Sequence, residues 1–210
     1  MTATAPEVRD PLTLRARLGD PRTVSEMIAS TEALVHGHFE LLGGDHADAF
    51  IKFSRIAERP AALETTTQWL LPSVAAWLPD SVLAPATAGV ALGWTLARRL
   101  GLPLVLADVG ANGRAAAVHD AENLRDRRVL LVNDVVTTGH GIAALAHVAN
   151  EAGATVAGAT WFLSRGDADV SEAIGAPVSC VGDLLLSRWS SPLCPLCTRG
   201  EPLTRAVEIN

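Results

Sequence analysis

The sequence predicts an α/β fold, a central parallel sheet flanked by helices, and three observations predict it. Residues 129–132 are a short, wholly apolar run, as expected of a strand buried on both faces. Behind a polar loop, Ile142, Leu145, Ala146 and Ala149 recur at helical spacing until Gly153 closes the pattern. The same unit occurs earlier, with a strand over 81–85, a small-residue loop at Ala86, Thr87, Ala88 and Gly89, and a helix through Leu100 stopped by Gly101 and Pro103. Strand–loop–helix units in series build a parallel sheet, and α/β proteins place ligands in the loops at the carboxyl ends of such strands.

Taken in order, residues 2–33 read as amphipathic helices. Leu12, Leu14 and Leu18 form one cluster, and Thr23 or Ser25 stands as a cap for a second helix carrying Met27, Ile28, Leu34 and Val35. Residues 37–53 follow as two strand-like runs around a Gly-Gly-Asp turn, a hairpin signal. His46 reads there as a turn residue. Residues 60–78 are helical, with Pro60 at the start. After the 81–101 unit, 104–107 is a strand, and 108–127 is a long polar stretch with Asn112-Gly113, of the kind that often forms a functional lid. Beyond the central helix, 155–163 is a strand ending at Ser164-Arg165-Gly166, and 177–181 is an edge strand. No repeat or linker divides the chain, so the organisation expected is N-terminal helices over 1–36 and a single globular unit over 37–210.

The totals exclude several classes. A length of 210 residues suits one sizeable domain, and 49% apolar with 19% charged residues makes it globular rather than disordered. A formal charge of −6 argues against a general nucleic-acid binder, which needs a basic face. No apolar run approaches membrane length, and residues 1–10 lack a signal-peptide core. Three cysteines, an odd number, do not form a secreted disulfide framework. A soluble, cytoplasmic protein is expected, without a nucleic-acid or membrane partner. Cys194 and Cys197, in Cys-Pro-Leu-Cys, can open a zinc site, but four ligands are needed and no second pair exists. Cys180 and a histidine would complete one. The other reading is a structural turn or a dimer contact.

The chemistry concentrates after the 129–132 strand. Thr137, Thr138, Gly139, His140 and Gly141 lead into a helix N-terminus, where unpaired N–H groups and the positive end of the helix dipole suit a phosphate. The glycines permit close backbone approach, and the threonines add hydroxyl donors. Asp134, just upstream, can accept hydrogen bonds from sugar hydroxyls. A carboxylate beside a phosphate cradle points to a sugar phosphate, and the Walker pattern of nucleoside triphosphate binders is absent.

This stretch, an apolar strand, two polar positions at Asn133 and Asp134, two apolar residues Val135 and Val136, then Thr-Thr-Gly, resembles the phosphoribosyl diphosphate (PRPP) motif of type I phosphoribosyltransferases. One departure is that the family's first acidic residue is Asn133 here, which keeps an acceptor and loses the charge. The 37–53 hairpin resembles that of orotate phosphoribosyltransferases, and the resemblance extends over about 37–203. It implies a type I phosphoribosyltransferase-like fold, with a small hood built from the hairpin and the C-terminal segment. It implies transfer of the 5-phosphoribosyl group of PRPP, with Mg²⁺, to orotate or a related carboxylated base, in pyrimidine biosynthesis, by a homodimer. By the same resemblance Ala86, Thr87, Ala88 and Gly89 receive diphosphate, while Phe50, Ile51, Lys52 and Arg165 face the base, Arg165 against its carboxylate. Leu42 falls where many members carry a ligand-contacting lysine.

The 108–127 stretch corresponds to the family's lid, which normally brings an Arg-Lys pair to the diphosphate. Asp108 and Val109 stand there instead, leaving Arg114 and, weakly, His119 before Arg125, Arg127 and Arg128. The resemblance thus gives Asp134, Asn133 and Arg114 the catalytic work, with Arg114 placed near a partner's site. Asn133 and the cation-poor lid keep two alternatives open: an enzyme with altered donor or acceptor in specialised metabolism, and a non-catalytic regulator that binds PRPP or a nucleotide.

Overall fold

A computed structural model of the chain describes residues 13–205 except 42, 88, 112, 167 and 168. In chain order the N-terminal part runs β1 (Thr13–Ala16), α1 (Pro21–Ser30), β2 (Leu34–Glu40), β3 (His46–Ile51), α2 (Ser54–Ala57) and α3 (Pro60–Ala76). The first strand–loop–helix unit is β4 (Ser81–Pro85) and α4 (Val90–Leu100), followed by β5 (Leu104–Val109) and β6 (Ala115–Val118). The second is β7 (Arg128–Val132), the short β8 (Val135–Val136) and α5 (His140–Glu151). Next come β9 (Thr155–Ser164), α6 (Val170–Ile174), β10 (Val178–Leu185), β11 (Arg188–Trp189), α7 (Pro195–Thr198) and β12 (Leu203–Arg205).

The main sheet is eight-stranded, in the order β1-β10-β9-β7-β4-β5-β6, with β8 also pairing β9. Its centre, β10-β9-β7-β4-β5, is parallel, and β1 and β6 close the two edges antiparallel. The apolar strands are covered on both faces. Leu130 and Val132 of β7 pack with α1, α3 and α4, through Val24, Leu70, Val74, Leu92 and Leu96. Val129 and Leu131 point the other way, toward Ile142, Leu145 and Ala149 of α5. Each such fully buried Leu, Ile or Val stabilises the fold by about 1.5–3 kcal/mol relative to exposure. A second, four-stranded sheet, β11-β3-β2-β12, forms the hood and joins the hairpin to the C-terminal tail. Among the described residues no helix is long and apolar enough to cross a membrane.

Five local expectations are corrected. Thr13–Ala16 is a strand paired with β10, not a helix, because Leu14, Ala16 and Leu18 alternate onto the core beside an open sheet edge. The edge strand is therefore β1, and β10 lies inside the sheet. Helix α1 is capped by Asp20, whose carboxylate accepts the Thr23 N–H at 2.9 Å with Pro21 behind it, and neither Thr23 nor Ser25 is the cap. Leu34 and Val35 belong to β2, where they pair with Ile51 and Phe50. The polar stretch after β5 is no open loop: β5 runs on to Val109 and turns back into β6, giving the lid a hairpin frame.

Candidate active site

The carboxyl ends of β4, β7 and β9 open into one cleft of about 660 Å³, with the hood above it. At its floor, 133–142 line the wall continuously. Gly139 is the N-cap of α5 and takes φ 77°, a left-handed conformation that glycine adopts without steric penalty. The first intrahelical bond is Ala143 N–H to the Gly139 carbonyl at 2.9 Å, so the N–H groups of the first turn stand ahead of it, and no side chain caps them. Thr138 Oγ1 lies 3.0 Å from His140 Nδ1 at the same turn. Thr137, Thr138, Gly139, His140 and Gly141 are thus assembled as an anion cradle at the helix start.

Asn133 and Asp134 are fixed to β9 by their main chains: Asn133 N–H donates to the Thr160 carbonyl at 3.0 Å, and the Asp134 carbonyl accepts from Phe162 N–H at 2.8 Å. Asn133 Oδ1 accepts the Asp134 N–H at 2.9 Å, and Asp134 Oδ1 accepts the Val135 N–H at 2.6 Å. Burial pushes the Asp134 carboxyl up to about 6, against the pull of that N–H. The Asn133 oxygen is committed within the loop, which leaves Asp134 as the carboxylate facing the cleft at this point. Val135 and Val136 continue the lining toward Arg165.

The opposite end of the cleft lies under the hood. Arg165 leaves β9 buried, donating from one terminal nitrogen to the Ala49 carbonyl at 2.9 Å, with its guanidinium 5.6 Å from the Phe50 ring centre. Burial and then the neighbouring Arg188 push Arg165 down to about 10, while Asp48 pulls the other way. Among the described residues, three buried side-chain atoms have no hydrogen-bond partner, and two of them, Arg165 Nε and Ser54 Oγ, belong to residues lining this end. Arg188 of β11 lines the cleft as well, donating to Asp45 at 2.6 Å. A planar or anionic group placed here meets Phe50, two guanidinium groups and orphaned donors.

Of the remaining expected residues, Thr87 and Arg114 line the cleft. Ala86 and Gly89 do not; Gly89 is buried, and a Cβ on it would stand 2.7 Å from the Val132 carbonyl and 3.3 Å from Asn133 Cα. Gly89 therefore lets α4 approach the end of β7 closely, a packing role. Ala88 and Leu42 lie outside the described residues. Lys52 is not among the cleft lining, and its main-chain N–H bonds the Ala33 carbonyl at the foot of the hairpin. Ile51 lines the cleft beside Phe50. In the lid, Val109 faces the cleft, whereas Asp108 pairs with His119 at 2.6 Å across the hairpin. Arg128 donates to the Leu78 and Trp77 carbonyls and serves the fold.

Arg188 and Ser54 are cleft residues that sequence reasoning does not find, and for Arg188 the reason is that a two-residue strand in a tail has no local pattern. The zinc expectation is also redrawn. Cys180 is buried in β10 against Ser164 and Gly182, away from the other cysteines. Cys194 and Cys197 meet His38 and His46 instead, and His46 is a buried strand residue rather than a turn residue.

Comparison with known proteins agrees with this geometry. Residues 54–175, more than half of the chain, match the phosphoribosyl transferase domain family. Orotate phosphoribosyltransferase from Caldanaerobacter subterraneus subsp. tengcongensis is 28% identical over 182 residues, covering 87% of this chain and 94% of that protein. The Thermus thermophilus orotate phosphoribosyltransferase is 29% identical, covering 86% and 97%. Among solved structures, orotate phosphoribosyltransferase from Aeropyrum pernix matches with a TM-score of 0.62 at 24% identity, over 75% of this chain and 92% of that one. A phosphoribosyltransferase from Corynebacterium diphtheriae matches at 0.63 and 19%, over 76% and 93%. With a matched central domain, a shared fold and a cradle, carboxylate and hood in one cleft, the chain belongs to the phosphoribosyltransferase family.

Proposed function

We propose that the chain transfers the 5-phosphoribosyl group of PRPP to orotate, or to a closely related carboxylated base, with release of diphosphate. The observation that carries this reading is Arg165, a buried guanidinium with an orphaned Nε, set beside Phe50 in the same cleft as the phosphate cradle. A buried cation that lacks a full set of partners is costly to keep, and a planar carboxylated base satisfies it. The relatives that match over most of the chain are orotate phosphoribosyltransferases, which supports the same acceptor.

In this reading the cradle at 137–141 holds the 5′-phosphate and Asp134 accepts hydrogen bonds from the ribose hydroxyls. A nitrogen of the base attacks the anomeric carbon as the bond to diphosphate breaks, through an oxocarbenium-like transition state. The protein's part is alignment and charge stabilisation rather than covalent chemistry. Thr87 and Arg114 face the leaving diphosphate. Mg²⁺ fits as a companion of PRPP: Asp134 is a hard oxygen donor on the cleft wall, and this ion takes one or two protein oxygens and fills its shell from phosphates and water. When bound it neutralises charge on the leaving diphosphate.

Incubation with PRPP, Mg²⁺ and a panel of bases, following diphosphate release, tests this. Turnover with orotate is expected; turnover with adenine or another uncharged base alone would overturn the acceptor assignment. A second reading has its own support in Asn133 and in Asp108 and Val109, which deprive the lid of its usual charges: a regulator that binds PRPP without consuming it. Tight PRPP binding with no turnover on any base would favour that regulator. The homodimer implied by the resemblance and the cytoplasmic location expected from composition are proposed with the enzyme. Arg114 lines the cleft of its own chain, so the site has a lid cation without a second copy, and sedimentation at micromolar concentration tests the assembly separately.

A further inference from the structure

At the outer end of the hood, four side chains from two distant parts of the chain converge. His38 comes from β2, His46 opens β3, and Cys194 and Cys197 flank the turn that begins α7. One donor atom from each lies within 4.8 Å of all the others. His38 Nε2 is 2.9 Å from His46 Nδ1, 3.5 Å from Cys194 Sγ and 3.6 Å from Cys197 Sγ, and Cys197 Sγ is 3.3 Å from His46 Nδ1. Zn–N bonds of about 2.0–2.1 Å and Zn–S bonds of about 2.3 Å place tetrahedral ligand atoms roughly 3.3–3.8 Å apart, the range of the three nitrogen–sulfur separations, while the two imidazole nitrogens stand closer, at 2.9 Å.

A second observation points the same way. His38 Nδ1 lies 2.9 Å from the Glu201 carbonyl, which can only accept, so Nδ1 carries the proton. With Nδ1 taken up in this way, Nε2 is the ring nitrogen left facing the other three donors, the outer-shell arrangement typical of a metal-bound histidine. The strand pairing of β2 and β3 shifts register between His36 and Phe39, and this irregularity sits at His38. His38, His46 and Cys194 are each less than 5% exposed, so a core that could have been apolar is filled by metal-seeking groups.

We propose that His38, His46, Cys194 and Cys197 bind one zinc ion. Four protein ligands leave no open position, so the ion is structural and stands outside the phosphoribosyl chemistry. It ties the hairpin to the tail whose strands β11 and β12 flank it, and β11 carries Arg188 to the cleft. Zinc thereby holds the base end of the site in shape.

The test is metal analysis of the full chain purified without chelator from zinc-supplemented growth, together with Co²⁺ substitution. The expected result is one zinc per chain, and a Co²⁺ form showing tetrahedral ligand-field bands with thiolate charge transfer. Removing the metal with a strong chelator should lower the melting temperature by more than about 5 °C. Cys197→Ser should lose most of the zinc, whereas Cys180→Ser should keep it. If Cys197→Ser fails to fold, the Co²⁺ spectrum of the unaltered chain still decides. Substoichiometric zinc that added zinc does not raise, a Co²⁺ form lacking thiolate charge transfer, or a Cys194–Cys197 disulfide in the reduced-purified chain would overturn the assignment.

Discussion

Replacing Arg165 with methionine should separate stability from recognition. Burial, chiefly, holds the guanidinium well below its usual range, at about 10. At about 1.4 kcal/mol per tenfold change, this is roughly 3 kcal/mol by which the buried charge disfavours the fold. At neutral pH the group is charged both folded and unfolded, so the whole penalty is present there and disappears only in strong alkali. Methionine removes that penalty and fills similar volume. It also removes a charged hydrogen bond to the Ala49 carbonyl, about 1.5–3 kcal/mol, and the contact with Phe50, about 0.5–1 kcal/mol. The two sides nearly cancel, so urea unfolding of the ligand-free variant should fall within about 1 kcal/mol of the parent. Binding should not be spared. Losing a buried partner to a carboxylate costs about 2 kcal/mol or more, roughly thirty-fold. Calorimetry with orotidine 5′-monophosphate and uridine 5′-monophosphate, which differ only by the carboxylate, isolates the effect. The parent should prefer the former, and Arg165→Met should erase the preference while leaving uridine nucleotide binding nearly unchanged. A variant destabilised by more than 2 kcal/mol, or one that still discriminates, would refute the reasoning.

Three further outcomes are expected. Gly139→Val places a β-branched residue at φ 77° and should abolish calorimetric binding of ribose 5-phosphate, since the cradle depends on that backbone; retained affinity would remove the cradle from the site. Asp134 is raised above its unfolded value of 3.8 to about 6, so the folded chain binds its proton more tightly between those values. Stability should then fall as pH rises from about 4 to about 6, Asp134→Asn should flatten that slope in urea titrations, and affinity for Mg²⁺–PRPP should grow as pH climbs through about 6. Asn133→Asp restores a charge at the ribose end and should tighten Mg²⁺–PRPP binding by about tenfold; no gain in fluorescence or calorimetric titration would mean that Asn133 serves a different ligand.

The parts legible in the sequence are those whose signal is local. The β7 strand, the Thr-Thr-Gly loop and α5 are written as an apolar run, a polar loop with glycines and a helical repeat, and each stands where those patterns place it. The parts that were not legible depend on partners far along the chain. Leu14, Ala16 and Leu18 fit a strand as well as a helix, and only the open edge of β10, more than 160 residues away, decides between them. Ala115–Val118 has little strand propensity of its own and is recruited by the antiparallel edge of β5. The convergence of His38 and His46 with the C-terminal cysteines had a faint local trace, since a hairpin turned at Gly43-Gly44 brings its two arms together. The tail's return beside β2 has no such trace.

The cleft divides its electrostatic work in a way that bears on which alternative the chain follows. Its phosphate end relies on main-chain N–H groups and a helix dipole, which are built into the fold and insensitive to surface substitution. Its base end relies on two arginines held by strands of different sheets, Arg165 after β9 and Arg188 on β11. The lid between them contributes Arg114, while Asp108 is turned to His119 and Val109 presents an apolar side chain. Charge that develops on diphosphate is therefore met by fewer fixed cations than an Arg-Lys pair would supply, which weakens stabilisation of the transition state and leaves ground-state recognition of the base untouched. A change of acceptor would show at the base end of the cleft, which holds Arg165, Arg188 and the Phe50 ring. The lid's departures fall where the leaving group sits and Asn133 falls at the ribose, so these departures bear on how fast phosphoribosyl transfer runs rather than on which base receives the sugar.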